Sequence, residues 1–335
     1  MAITLKRLAK ELNLSIATIS RALRDSHEVS DETKRKVFAL AEKLNYHPNP
    51  FASSLRAHKS KTIAVIIPEI DNNFFSLAIK GIEEIAQQQG YHVLIYLTHE
   101  SVQKEISFTR HLQSGRVDGI LMSVSSETNN VSHLLELKEK NIPIVFFDRV
   151  CEMLDSPKVT TDDYESAKNA TEHLIENGCK RIAYLQLSKT LSIGKNRLKG
   201  YVDALQKNKI TFDQELILDA KSSTDENYDL IKNLLTSKNP PDGIFASVES
   251  LAVIAYYVCK DLHISIPGNI KIISFSNLTT APLLSPSLTT VTQPAFNMGK
   301  EAATILFQLL KKNSFILKKN IILSSSLIKR DSTKK

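Results

Sequence analysis

The 335 residues of this chain are 42% hydrophobic and 24% charged, with three cysteines, the composition of an ordinary globular protein long enough for two or three domains. No apolar run approaches the roughly 18 residues of a membrane helix, and the first residues lead into a helical pattern without an apolar leader, so a cytoplasmic chain with no membrane partner is expected. Twelve of the 43 Lys and Arg but only six of the 36 Asp and Glu fall in residues 1–61, which carry +6 of the net +7, the electrostatic footprint of a nucleic-acid-binding segment.

Residues 4–24 read as two short helices joined by a tight turn, a unit that lays its second helix in the major groove of DNA. Leu5, Leu8, Ala9 and Leu12 recur at i, i+3, i+4, i+7 and give the first helix one apolar face. Asn13 suits the left-handed turn position, and Ser15 the N-cap of the second helix. Ile19, Ala22 and Leu23 can face inward, leaving Ile16, Ala17, Ser20 and Arg21 outward. A third helix begins after Ser30, with Asp31 and Glu32 in its first turn and Val37, Leu40, Ala41 and Leu44 inward. Pro48 and Pro50 end that helix, yet Asn49-Pro50 is a good N-cap and first position for a helix of about seven residues. Such a helix is too short to stand alone in water, so residues 48–60 read either as a linker or as a hinge helix formed against a partner.

From residue 61 the pattern changes. Thr62–Pro68 is a continuous β-branched run of the buried parallel-strand kind. Helices near 74–89, 101–114 and 130–140 alternate with strands at 92–98, 119–123 and 142–147, and Gly90 closes the first of these helices. The alternation resumes from residue 162, with helices to 177, near 195–208, 225–237 and 249–262. Its strands are expected at 181–187, 216–220, 243–247 and 270–275. Two doubly wound α/β halves with right-handed crossovers imply a ligand cleft beyond the carboxyl ends of their strands. Cys151, Cys179 and Cys259 are odd in number and scattered, so they read as small buried hydrophobes. The histidines have no metal-ligand spacing. No Gly-x-Gly dinucleotide fingerprint, phosphate-binding Gly-rich loop or Gly-x-Ser-x-Gly elbow occurs, so no catalytic residue, cofactor or metal is expected.

Ordered signposts run the length of the chain: Leu-Ser-Ile-Ala-Thr-Ile-Ser-Arg-Ala-Leu (14–23), Val-Ser-Asp-Glu-Thr-Lys-Arg-Lys-Val (29–37), Leu-Asn-Tyr-His-Pro-Asn (44–49), Arg-Val-Asp-Gly-Ile (116–120), Phe-Phe-Asp-Arg (146–149), His-Leu-Ile-Glu-Asn-Gly (173–178), Asn-Arg-Leu-Lys-Gly-Tyr (196–201) and Leu-Thr-Thr-Val-Thr-Gln-Pro (288–294). In this order and spacing the chain resembles the LacI/GalR (lactose-repressor) family of bacterial transcription regulators. The resemblance implies an α/β fold. An N-terminal three-helix helix-turn-helix headpiece plus hinge helix precedes a two-lobed periplasmic-binding-protein-like (type I) core of two doubly wound parallel sheets. The implied boundaries are 1–47 for the headpiece, 48–60 for the hinge, 61–160 with 291–318 for the first lobe, 161–290 with 319–330 for the second, and 331–335 as a tail. Crossings between lobes are expected near 161, 290 and 319.

The same resemblance gives residues their roles. Ile16, Ala17 and Arg21 would face base edges, Arg21 donating to guanine and the other two making apolar contacts. Thr4, Ser15, Thr18 and Ser20 would contact phosphates, Asn49 would join the DNA interface, and Leu55 would wedge into the minor groove. The implied cleft residues are Phe74, Phe75, Ser125, Asp148, Arg149, Asp162, Arg197 and Ser276, taking a small effector, most often a sugar or nucleobase. One of Phe74 and Phe75 is expected in the core, and Asp162 can equally cap the helix that follows it. Ser276 stands where relatives usually carry a ligand-facing Asp, and Ser-Val-Glu249 where many carry Asn-Asp. Three readings follow: a less hydroxyl-rich effector, an anionic effector meeting Arg197, or no effector response. A palindromic operator implies a homodimer, or a higher assembly. The expected function is repression by an operator-bound dimer switched by a carbohydrate; the alternatives are an activator, or a sugar-binding protein of the periplasmic type.

Overall fold

A computed structural model describes residues 4–23, 25–46, 60–221, 223–311 and 320–334, and the chain divides into two units, residues 1–60 and 61–335. In the first, α1 (Leu5–Leu12), α2 (Ile16–Ala22) and α3 (Asp31–Lys43) follow the expected pattern. Asn13 adopts the left-handed conformation at φ 53° and ends α1. Ser15 and Ser30 cap the next two helices by accepting from Thr18 N and Thr33 N. All the apolar residues expected to face inward join one cluster around buried Leu8, Ile19, Ala22 and Val37.

The second unit contains two six-stranded sheets. The first is built from β1 (Thr62–Ile67), β2 (His92–Leu97), β3 (Gly119–Met122), β4 (Ile144–Phe147) and β5 (Lys158–Thr161). The helices α4 (Asn73–Gln88), α5 (Val102–Leu112) and α6 (Ser132–Glu139) connect its first four strands. All its pairings are parallel, with β1 between β2 and β3. The second sheet contains β6 (Ile182–Gln186), β7 (Ile217–Asp219), β8 (Gly243–Ala246), β9 (Lys271–Phe275) and β10 (Thr289–Thr292). Its helices are α7 (Asp163–Glu176), α8 (Ser192–Lys207), α9 (Thr224–Leu235) and α10 (Glu249–Asp261). The inner strands β1, β3, β4, β6, β8 and β9 are almost wholly buried, as expected of sheets covered on both faces.

The C-terminal segment departs most from the sequence expectation. β10 pairs with β9 in the second sheet, and helix α11 (Ala295–Leu310) then returns to the first lobe, where Met298, Ala302 and Leu306 enter the core. β11 (Asn320–Leu323) pairs with β5, and β12 (Ser326–Ile328) pairs antiparallel with β10. The second crossing therefore lies at 293–294 rather than 290, and the third at 324–325 rather than 319. Residues 331–334, expected as a tail, are fastened to the second lobe through Ser332 Oγ donating to Ile272 O at 2.6 Å.

Each lobe is tightened by a glycine at a helix crossing. A Cβ on Gly299 of α11 would fall 2.0 Å from Ala78 O of α4, and one on Gly200 of α8 would fall 2.3 Å from Tyr164 O of α7. The crossings between lobes are also bonded together. Asp162 N donates to Leu323 O at 3.1 Å, and Ser325 N donates to Asp162 Oδ1 at 2.8 Å. Gln293 Nε2 donates to Thr161 Oγ1 at 3.0 Å.

Candidate DNA-reading surface and effector cleft

In the headpiece, Ile19 and Ala22 anchor α2 and turn the opposite face outward. Ile16 is 42% exposed, and Ala17 and Arg21 are exposed with it, while Thr18 and Ser20 are half-buried. An exposed isoleucine beside an exposed arginine is the arrangement that reads a thymine methyl and a guanine edge. The Ser15 and Thr18 hydroxyls bond each other at 2.9 Å, so both are spoken for in the free headpiece. Thr4 is the N-cap residue of α1 and is exposed, with no side-chain capping bond. Arg21 Nε lies 3.0 Å from Glu28 Oε2, with both side chains about half exposed (54% and 52%). Such surface pairs contribute at most about 1 kcal/mol, so DNA can take the guanidinium over cheaply. Asn49, Leu55 and the expected hinge helix lie outside the described residues.

In the core, the carboxyl ends of both sheets converge on a narrow cavity of about 30 Å³, against roughly 300 Å³ or more for a small-molecule pocket. Phe74, Phe75, Asp148, Arg149, Arg197 and Ser276 all line it. Phe74 and Phe75 meet edge to face at 5.2 Å, and both belong to the first lobe's core. The expectation that one of them is core is thus too narrow: each does both jobs.

Ser125 and Asp162 do not reach the cleft. Ser125 is buried, its hydroxyl donating to Glu100 O and its amide to Glu105 Oε2. Asp162 takes the N-cap position of α7, but its carboxylate accepts from Ser166 Oγ and Ser325 N instead of capping the helix. Its task is to hold two interlobe crossings together. The residue one step on is the one that matters to the site: a one-residue advance around a helix start swings a side chain by about 100°, and Asp163 points where Asp162 does not.

Arg197 has three partners in the core. Its Nε donates to Asp163 Oδ1 at 2.7 Å, its NH1 to Ser247 O at 2.7 Å, and its guanidinium lies 3.8 Å from the centre of the Phe275 ring. Of the three readings of the Ser276 departure, the one in which Arg197 meets an anionic effector loses its ground, since Asp163 already supplies the negative charge. Arg149 is partnered as well, its NH1 donating to Glu100 Oε1 at 2.6 Å. Its Nε, however, is buried without a hydrogen bond.

Asp148 sits at the end of β4 with a left-handed φ of 59°, a strained conformation for a non-glycine residue. Burial pushes its carboxyl up to about 6, against the opposing pull of Arg149 and Arg197. Burial likewise raises Asp163, with Arg197 opposing. At Glu100 burial acts upward too, but Arg149 and Ser126 outweigh it and leave the group below its ordinary value.

In the sequence Glu249 stands out only as a departure from the family pattern. Here its carboxylate is the acceptor that position 276 lacks. Ser276 Oγ donates to Glu249 Oε2 at 2.9 Å and Asn277 N at 3.0 Å. From the other lobe, Asn73 N and Asn73 Nδ2 both donate to Glu249 Oε1 at 3.3 Å. Among the described residues no group of His, Cys, Asp and Glu could hold a metal ion, and no helix is long and apolar enough to cross a membrane. The three cysteines are free and buried, and burial raises the Cys179 thiol to about 12 and the Cys259 thiol to about 11.

A helix-turn-helix unit followed by two α/β lobes around a polar cleft defines a ligand-responsive DNA-binding regulator. Residues 4–49 match the model of bacterial regulatory proteins of the lacI family, and residues 60–329 that of periplasmic binding proteins and the sugar binding domain of the LacI family. The chain belongs to the LacI family. It is 30% identical over 335 residues to the HTH-type transcriptional regulator RegA of Clostridium saccharobutylicum, covering 99% of this chain and 100% of that one. It is 32% identical over 309 residues to the ribose operon repressor of Bacillus subtilis (strain 168), covering 92% of each. Its fold matches the lac repressor dimer bound to operator and the anti-inducer ONPF with a TM-score of 0.87, at 22% identity and full coverage of both chains.

Proposed function

We propose that this chain is a cytoplasmic repressor that reads a palindromic operator as a homodimer and is switched by a carbohydrate held between its lobes. The observation that carries the reading is the exposed triad Ile16, Ala17 and Arg21 on a buried-anchored helix, in a chain whose second unit ends in a polar interlobe cleft. Thr4, Ser15, Thr18 and Ser20, with Asn49 and Leu55 assigned from sequence alone, complete the DNA side. Phe74, Phe75, Asp148, Arg149, Arg197 and Ser276 serve the effector side; Ser125 and Asp162 support the loop after β3 and the interlobe crossings. The chain has no catalytic task in this reading.

The test is a gel-shift titration with an operator selected from random duplexes. Arg21→Ala is expected to lose about 1–3 kcal/mol of specific binding per base contact and to relax preference at one base pair of each half-site. Nonspecific binding should hardly change. Unaltered base preference would overturn the orientation assigned to α2. A single retarded species of one chain per operator would overturn the dimer.

A further inference from the structure

One charged group on the cleft wall, Glu249, draws its partners from both lobes. Four donors converge on the Glu249 carboxylate: Asn73 N and Nδ2 at 3.3 Å from the first lobe, and Ser276 Oγ at 2.9 Å and Asn277 N at 3.0 Å from the second. An ionised carboxylate offers about four acceptor positions, so Glu249 is saturated. Its contacts on the second lobe are local, within the loop that follows β9. Those on the first lobe are to the first residue of α4, and they exist only while the lobes are together. Nothing larger than a water or two fits the 30 Å³ between them. A ligand must therefore widen the cleft, and widening it between Asn73 and Glu249 frees two acceptor positions.

The charges around that vacated position select what can take it. Arg197 is neutralised by Asp163 and Arg149 by Glu100, at 2.7 Å and 2.6 Å. Asp148 Oδ2 lies 3.9 Å from Arg149 Nε, so Glu249 is the lining carboxylate with no cation beside it, and the cleft is rich in acceptors and short of free cations. An anion would meet the Glu249 carboxylate and two arginines already paired with acids. A hydroxyl would meet acceptors on both walls, with Phe74 and Phe75 offering apolar ring surface and Arg149 Nε an unused donor. We propose that Glu249 is the specificity-determining residue of the cleft, a latch between the lobes whose Asn73 bonds are exchanged for the hydroxyls of an uncharged polyol, so that phosphorylated sugars are rejected. This rests on the effector reading above.

Isothermal titration of the full chain tests it, with ribose, glucose, galactose and cellobiose as neutral probes and ribose 5-phosphate and glucose 6-phosphate as charged ones. At least one neutral sugar is expected to bind, at least tenfold more tightly than its phosphate ester. Glu249→Gln should weaken that sugar at least tenfold and narrow the neutral-to-phosphate ratio. Asn73→Ala should instead tighten it severalfold, because the side chain that competes for Oε1 is gone. A purely structural role for Glu249 would not produce this opposite sign. Operator binding by each variant reports that it is folded. A phosphate ester that binds as well as its parent sugar overturns the proposal, and so do sugars that bind both variants as they bind the wild-type chain. If no probe binds while the operator complex forms normally, the effector reading itself fails, and this inference with it.

Discussion

Replacing Asp163 by Asn isolates the strongest electrostatic commitment in the core. Asp163 and Arg197 are 2.7 Å apart with each side chain only 3% exposed. Removing one charge of such a pair leaves the other buried and uncompensated, a loss of about 3–5 kcal/mol. Asparagine keeps an Oδ1 acceptor for Arg197 Nε, and the Ser247 carbonyl and Phe275 ring remain in place, so the lower end, about 3 kcal/mol, is expected. For a unit of this size that corresponds to a fall in Tm of roughly 10 °C, readable by calorimetry or urea unfolding of the full chain. Adding Arg197→Met should return at least half of the loss, since an apolar replacement of the whole pair removes the stranded charge. A Tm within about 2 °C of wild type for Asp163→Asn would refute this reasoning, as would a double variant less stable than the single one.

Two further perturbations address packing and protonation. Gly200→Ala should destabilise the core by about 1–3 kcal/mol, because the new methyl would meet Tyr164 O at 2.3 Å and Lys168 N at 2.9 Å; an unchanged urea midpoint would mean that α7 and α8 can separate freely. Asp148→Asn should stabilise the core at pH 7 by up to about 3 kcal/mol, the free-energy equivalent of a carboxyl raised from 3.8 to about 6. The sign follows from proton linkage: between those two values the folded state holds the extra proton, so wild-type stability from this group falls as pH rises through that window. The gap between Asp148→Asn and wild type should therefore close as pH drops from 7 to 4, and a gap independent of pH would count against a buried, raised carboxyl.

The parts of the fold legible in sequence are those whose pattern is local. Leu5, Leu8, Ala9 and Leu12 define a helix face by spacing alone, and continuous runs such as Thr62–Ile67 declare buried parallel strands. β5, β11 and β12 are three or four residues long and owe their existence to pairing, β5 with β11 across about 160 residues of chain. Residues 295–310 do have helical spacing, but Gly299 in their midst lowers the signal, and that glycine is there for the approach to Ala78. In the cleft, residue types were legible and partnerships were not. Arg197 is legible as a cleft residue, yet that its partner is Asp163 and not Asp162 depends on the phase of one helix start. Glu249 stands out only as an unfamiliar residue, because Ser276 reaches it through the pairing of β8 with β9 and Asn73 through the meeting of the two lobes.

The route of the last forty residues also bears on how the protein is made. Strands β1–β4 and their helices leave the ribosome early, but one face of their core is α11, whose Met298, Ala302 and Leu306 are translated some 150 residues later. The second lobe, nearly continuous from Asp163 to Thr292, still needs β12 along one edge and Ser332 beneath its sheet. A nascent chain thus exposes its DNA-reading headpiece, which has its own core, long before either lobe can be sealed. Chains cut short before residue 295 would keep a foldable headpiece attached to a sensor that can never close. Completing translation is, in effect, the first checkpoint on whether this headpiece answers to a ligand at all.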